Sequence, residues 1–307
     1  MSVRNNEERS GARHPDDSSA AVAATETEAP VPSKGRSAHE KPQPKNLSFV
    51  VPTEFVDLPS KGRFYVESHP LHNVDNMEIR FMTAKEEDIL TSRSLLKKGV
   101  AIDRFLSSII VDRRIDVNTM LVGDKNALLV AARSSGYGSE YNTKVSCPAC
   151  GETQEYEFDL EAAHLVGIDS ETFQNSNFAK AVSENENGTF DIQLPKSNVT
   201  VTVRLLIGAD EQRLAKNMKQ KSKIQGHETM LTDQFRTYIV AVNGSTNNRD
   251  INTFVNAMPA LDSRFLRTTY QGIAPNVDLT QFFSCESCGF EQDMEVPFTA
   301  DFFWPKS

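Results

Sequence analysis

The amino-acid sequence predicts an α+β protein made of two similar strand–helix–strand halves, in outline an internal duplication, behind a disordered N-terminal tail. Three observations predict it. Residues 1–46 contain hardly a large apolar side chain; from about residue 47 strand and helix patterns follow one another twice in the same order; and each round closes on one motif, Cys147-Pro148-Ala149-Cys150-Gly151 and then Cys285-Glu286-Ser287-Cys288-Gly289.

The tail comes first. Residues 1–46 are rich in Ser, Ala, Glu, Pro and both signs of charge, so they cannot bury enough surface to offset the entropy of ordering. A solvated tether is expected there, with a segment that folds on a partner as the alternative. The start lacks the apolar stretch of a secretory signal, and no apolar run approaches the length of a membrane span. Membrane insertion is therefore not expected, and folding in a cytosol that keeps thiols reduced is.

The first half is read as residues 47–160. Around Leu58-Pro59 lies the segment Phe55-Val56-Asp57-Leu58-Pro59-Ser60-Lys61-Gly62-Arg63-Phe64-Tyr65, and an alternating strand follows over 77–82. Helix begins at Thr83, where Thr83 and Glu86 fit a capping box and the acidic run complements the positive helix end. Further helices are expected over 102–111 and 126–133, and the strand after Cys150 closes the half.

Residues 161–188 are read as a connector, and 189–307 as the second half. Leu194-Pro195 repeats the Leu-Pro pair, an alternating strand follows over 199–206, and Asp210 and Glu211 open a helix. Helices are expected over 231–242 and 263–271 before the second cysteine pair. About 89 positions separate Leu58 from Cys147 and about 91 separate Leu194 from Cys285, an agreement of order and spacing that marks a repeated unit. The flanking text agrees too, with Gln154 against Gln292, Glu155 against Asp293 and Glu157 against Glu295.

The chain has four cysteines, and all lie in these two motifs. A Cys-x-x-Cys turn aims two sulfurs at one ion, and the glycine behind it relieves the backbone that wraps the metal. Two halves packed about a pseudo-twofold axis would bring the turns together. Cys147, Cys150, Cys285 and Cys288 are thus the candidate ligands of one structural, zinc-ribbon-like Zn²⁺ site, closed to substrate and hence non-catalytic. An iron–sulfur centre, a redox dithiol and ordinary free thiols are the alternatives. A thioredoxin-type pair would sit at a helix start, whereas Cys150 precedes glycine and a strand pattern.

Nothing recommends an enzyme or a small-molecule substrate. Of the six histidines none forms a metal-ligand pair such as HExxH, and no nucleophile elbow, P-loop or dinucleotide fingerprint is present. A formal net charge of −9 opposes bulk binding to nucleic acid. Arg213, Lys216, Lys219, Lys221 and Lys223 form a basic run that reads first as a solvated face and second as a contact for an acidic partner. At the chain end Phe298, Phe302, Phe303 and Trp304 either dock on their own sheet or anchor a neighbouring subunit.

The stretch from Phe55 to Tyr65, the run from Met77 to Leu106 and the Cys-Pro-x-Cys-Gly strand resemble the baseplate hub proteins of T4-like contractile-tailed bacteriophages. The resemblance covers residues 50–160 well and 190–300 more loosely. It implies a non-enzymatic virion component of the tail baseplate, near the spike, the tail-tube start or the tape-measure protein, assembled in the host cytoplasm, whose partners are other hub, spike or tape-measure proteins. The alternatives are a zinc-ribbon adaptor in nucleic-acid metabolism, using the run from Arg213 to Lys223, and a thiol oxidoreductase using Cys147.

Overall fold

In the computed structural model, which describes residues 50–224, 230–296 and 300–303, the first half opens on a hairpin. Strands β1 (Thr53–Asp57) and β2 (Asn76–Arg80) pair antiparallel with Phe55 opposite Glu78. Their alternation buries Val56, Met77 and Ile79 and turns Phe55 outward. The long loop between them is held by its own sequence. Gly62 takes φ +68°, and a Cβ there would come within 2.2 Å of the Val74 nitrogen, so no other residue fits.

Helices α1 (Ala84–Thr91), α2 (Arg93–Lys98) and α3 (Ala101–Ile109) follow. The capping residue Glu86 accepts from Thr83 N and Oγ1, at 3.1 and 2.5 Å. Ile110, next after α3, bridges back to Ile79 on β2. Helix α4 (Val122–Tyr137) then leads into the hairpin of β3 (Glu140–Ser146) and β4 (Thr153–Asp159). The helix expected over 126–133 is thus the middle of a longer one.

The stretch 161–188 carries short elements: β5 (His164–Val166), α5 (Glu171–Gln174) and β6 (Val182–Glu184). In the second half β7 (Thr189–Gln193) and β8 (Thr200–Arg204) form the counterpart hairpin, followed by α6 (Gly208–Ile224), α7 (Met230–Tyr238) and β9 (Ile239–Val242). The sheet order is β6-β7-β8-β9, antiparallel throughout. Helices α8 (Asn248–Ala257) and α9 (Ala260–Ile273) precede β10 (Asn276–Asp278), which pairs with β5, and then the hairpin of β11 (Thr280–Ser284) and β12 (Glu291–Glu295).

One expectation is corrected. The helix expected over 231–242 ends at Tyr238, and Ile239-Val240-Ala241-Val242 is a strand against β8. A β-branched run with Ile239 and Ala241 buried and Val240 and Val242 half-buried fits a pleated surface better than a helical turn. This strand stands where Ile110 stands in the first half. The correspondence extends to side chains: Arg80, the last residue of β2, donates to Ser108 O near the end of α3, and Arg204, the last residue of β8, donates to Thr237 O near the end of α7 at 3.0 Å.

The described residues fall within one compact unit, 49–307. A single apolar core takes Leu58, Ile79, Phe105 and Leu128 from the first half and Phe190, Val201, Tyr238 and Leu266 from the second. The backbones meet closely as well: a Cβ on Gly123, in the first turn of α4, would lie 1.8 Å from Pro275 O, just before β10.

Candidate metal centre

Each cysteine pair sits in the turn of a hairpin, Cys147 and Cys150 between β3 and β4, Cys285 and Cys288 between β11 and β12. The two turns are built alike. Cys147 N donates to Glu152 O and Cys285 N to Phe290 O, both at 2.8 Å; Gly151 N donates to Cys147 O and Gly289 N to Cys285 O, both at 2.9 Å. Gly151 and Gly289 take φ +74° and +67°, the left-handed conformation that glycine adopts without a Cβ penalty. The expected role of the motif's glycine is what these turns require.

The turns face each other. Cys147 Sγ lies 3.8 Å from Cys288 Sγ, Cys150 Sγ lies 3.8 Å from Cys285 Sγ, and all four sulfurs fall within 4.8 Å of one another. Bonds of about 2.3 Å from one zinc to four tetrahedral thiolates give sulfur–sulfur edges of about 3.8 Å. An iron–sulfur cluster puts a cage of atoms between its thiolates and would hold them farther apart. Cys147 and Cys285 are buried while Cys150 and Cys288 are exposed, so the site lies at the rim of the core.

Electrostatics favour thiolate at Cys147, whereas the neighbouring sulfurs raise the Cys150 and Cys288 thiols. Burial pushes the Cys147 thiol up, but hydrogen bonds from the backbone amides of Cys150 and Ala149 outweigh it and bring the group down to about 7. Deprotonated sulfur is the form that binds metal.

Polar contacts join the hairpins from the sulfurs back along the strands. Gln154 donates from Nε2 to Ser284 O at 3.1 Å and accepts from Glu286 N at 3.0 Å, so one side chain spans the second knuckle. Gln281 donates to Asp159 O at 2.7 Å and accepts from Asp159 N at 3.0 Å, and Tyr156 Oη donates to Phe282 O at 2.8 Å. Beneath them the Tyr156 and Phe283 rings lie 5.2 Å apart.

The other singled-out residues have structural surroundings. Arg213 pairs with Asp210 at 2.9 Å, and Lys216 is exposed; the side chains of Lys219, Lys221 and Lys223 lie outside the described residues. Phe302 and Phe303 are buried, their rings 5.2 Å from Tyr141 and 5.3 Å from Phe105, which favours docking on their own sheet. Phe298 and Trp304 lie outside the described residues, as does the 1–46 tail. His69 bonds to Thr119 Oγ1 and His72 to Tyr65 O.

Sequence reasoning missed the carboxylates that order the loops after each Leu-Pro pair. Asp124 and Asp262 are fully buried, and both are the third residue of their helix. Position relative to the helix start was the only available signal. Among the described residues no helix is long and apolar enough to cross a membrane.

The family model described as T4 bacteriophage base plate protein matches residues 51–304. No curated protein and no solved structure gives a significant match.

Proposed function

The chain belongs to the family of T4 bacteriophage base plate proteins, and from that premise we propose that it is a non-enzymatic structural component of the baseplate hub, a zinc-stabilised docking protein. Its place would be near the spike, the start of the tail tube or the tape-measure protein, after assembly in the host cytoplasm. The family supports the baseplate role; the finer assignment is our reading.

The observation that carries the mechanism is the sulfur tetrahedron between the two hairpins. Cys147 and Cys150 from the first half and Cys285 and Cys288 from the second would hold one Zn²⁺ as a closed site that contributes folding energy instead of reactivity. The metal would fix the pose of one hairpin on the other. Rigid outer surfaces suit a part whose work is contact, because little ordering entropy is then lost on docking.

The test has two arms. Purified chain should contain one zinc per molecule by elemental analysis and should co-purify with hub, spike or tape-measure proteins when their genes are co-expressed. Metal-free protein that melts identically with and without a strong chelator would remove the zinc; retention of the metal with no association with any tail protein would remove the docking role.

A further inference from the structure

The two halves differ at one edge. In the second, β7 has a neighbour on each side, β8 and β6. In the first, the equivalent strand β1 pairs, among the described residues, only with β2.

Hydrogen-bond phase shows what β1 leaves open. Phe81 N donates to Pro52 O at 3.0 Å and Leu58 N to Asp75 O at 2.8 Å. Because bonding alternates along an antiparallel pair, the even-numbered residues of β1 face β2, and the N–H and C=O groups of Thr53, Phe55 and Asp57 point away from it. In the second half Leu194 N donates to Val199 O and Asn185 N to Thr189 O. Thr189, Asp191 and Gln193, which match Thr53, Phe55 and Asp57 when Leu194 is set on Leu58, therefore face β6. Among the described residues nothing takes the place of β6 on β1.

The edge carries two further marks. Phe55 is 70 % exposed at the centre of the strand, a position where edge strands usually carry a charge or proline to prevent pairing. Glu54, on the opposite face, has a buried Oε1 with no hydrogen-bond partner among the described residues. Asp57 and Glu78 add negative charge alongside.

We propose that the outer edge of β1 receives an antiparallel strand from another protein of the particle, with an apolar residue beside Phe55 and a lysine or arginine beside Glu54. Charge argues against a second copy, which would bring Glu54 and Asp57 of its own and leave Glu54 without a cation. Sequence argues against a local hairpin. The turn from β6 to β7 uses Asn185-Glu186-Asn187-Gly188, with Gly188 at φ +72°, whereas the corresponding positions read Phe49-Val50-Val51-Pro52, which lack a residue suited to positive φ. Strand addition at an open edge takes affinity from the backbone and specificity from alternate side chains.

The inference rests on the baseplate reading for the source of the strand, but its test reads only this edge, so the two can fail separately. Residue-resolved amide exchange is measured on the full chain, alone at two protein concentrations and with the synthetic peptide acetyl-Thr-Lys-Val-Ile-Arg-Thr-Gly-amide. Expected are fast exchange at Thr53, Phe55 and Asp57 in the chain alone and a slowing of about half or more at about 1 mM peptide, the level that half-fills a millimolar site. A peptide with Glu in place of Arg should protect less. The variant Phe55→Pro removes an outward N–H and the exposed ring but no hydrogen bond to β2, so it should abolish the protection at Thr53 and Asp57 while Leu58 stays slow. Slow exchange at the three amides at every protein concentration would overturn the proposal in favour of the chain's own residues; slowing that grows with protein concentration would overturn it in favour of a second copy. Unchanged fast exchange with peptide would overturn it outright.

Discussion

Asp124 and Asp262 perform one task at equivalent places. Each is the third residue of its helix, α4 or α9, and each turns its carboxylate onto the loop behind a Leu-Pro pair. Asp124 accepts from Ser60 N at 3.0 Å, Ser60 Oγ at 2.6 Å and Tyr65 Oη at 2.7 Å. Asp262 accepts from Lys196 N at 2.8 Å and Ser197 N at 2.9 Å. Replacing either by alanine leaves donors without an acceptor, and a buried unsatisfied group costs about 1–3 kcal/mol. Asp124→Ala, which strands three donors, should lower the urea midpoint more than Asp262→Ala, which strands two. Equal midpoints for both variants and the unaltered chain would refute the shared role.

The proposed zinc site predicts a difference in response to chelator. A ligand at a hundredfold over its Kd stabilises the native state by about 2.7 kcal/mol, so the unaltered chain should melt lower once zinc is stripped. Cys285→Ser removes a buried sulfur and should melt low from the start, indifferent to chelator. Calorimetric melts of both proteins with and without chelator check this. Thiol titration should detect four reactive cysteines only in the stripped chain.

Much of this site was legible because the information is local. A Cys-x-x-Cys-Gly turn carries its ligands and its left-handed glycine within five residues, and the capping pair Thr83 and Glu86 lies within one helical turn. The Leu-Pro spacing located the two rounds of elements for the same reason. The partners of Asp124 and Asp262 could not be read, since a carboxylate that binds backbone N–H groups some 64 positions away demands no residue type there. Strand β9 was hidden by the absence of a breaker between Tyr238 and Ile239. The open edge of β1 shows only when β1 is compared with β7.

Acid should expose the contribution of Asp210. Burial pushes its carboxyl up, but the Arg204 guanidinium, the Ile207 amide and Arg213 outweigh it and hold the group below its ordinary value. Arg204 reaches both oxygens, at 2.7 and 2.8 Å. A folded-state value below the unfolded one means that the native state binds fewer protons, so the stabilisation is present above the unfolded value of about 3.9 and is lost as pH falls through the folded value. Asp210→Asn should therefore cost about 2–3 kcal/mol near neutrality and progressively less below about pH 4. Urea unfolding of both proteins from pH 7 to pH 3 measures it; a gap that does not narrow in acid would sink the ion-pair account.

Arg133 tests how the end of the chain is held. Its side chain is fully buried, and its donors reach three carbonyls: Phe302 O at 2.6 Å, Gly138 O at 2.5 Å and Glu140 O at 3.0 Å. Those carbonyls belong to the terminal turn Ala300–Phe303, the residue after α4 and the first residue of β3. Burial lowers the guanidinium's pKa from its ordinary value, yet arginine stays protonated at any working pH. Lysine keeps the charge but concentrates it on one nitrogen, and cannot span three acceptors set around a planar fork. Arg133→Lys should therefore cost about 1–3 kcal/mol, with the loss concentrated where Phe302 and Phe303 pack on Tyr141 and Phe105. Limited proteolysis should then cut near residue 300 faster than in the unaltered chain, whereas cleavage in the β11–β12 hairpin should keep its rate if the zinc site holds that hairpin independently. A uniform increase at both places would mean that Arg133 supports the whole fold instead of tethering its end.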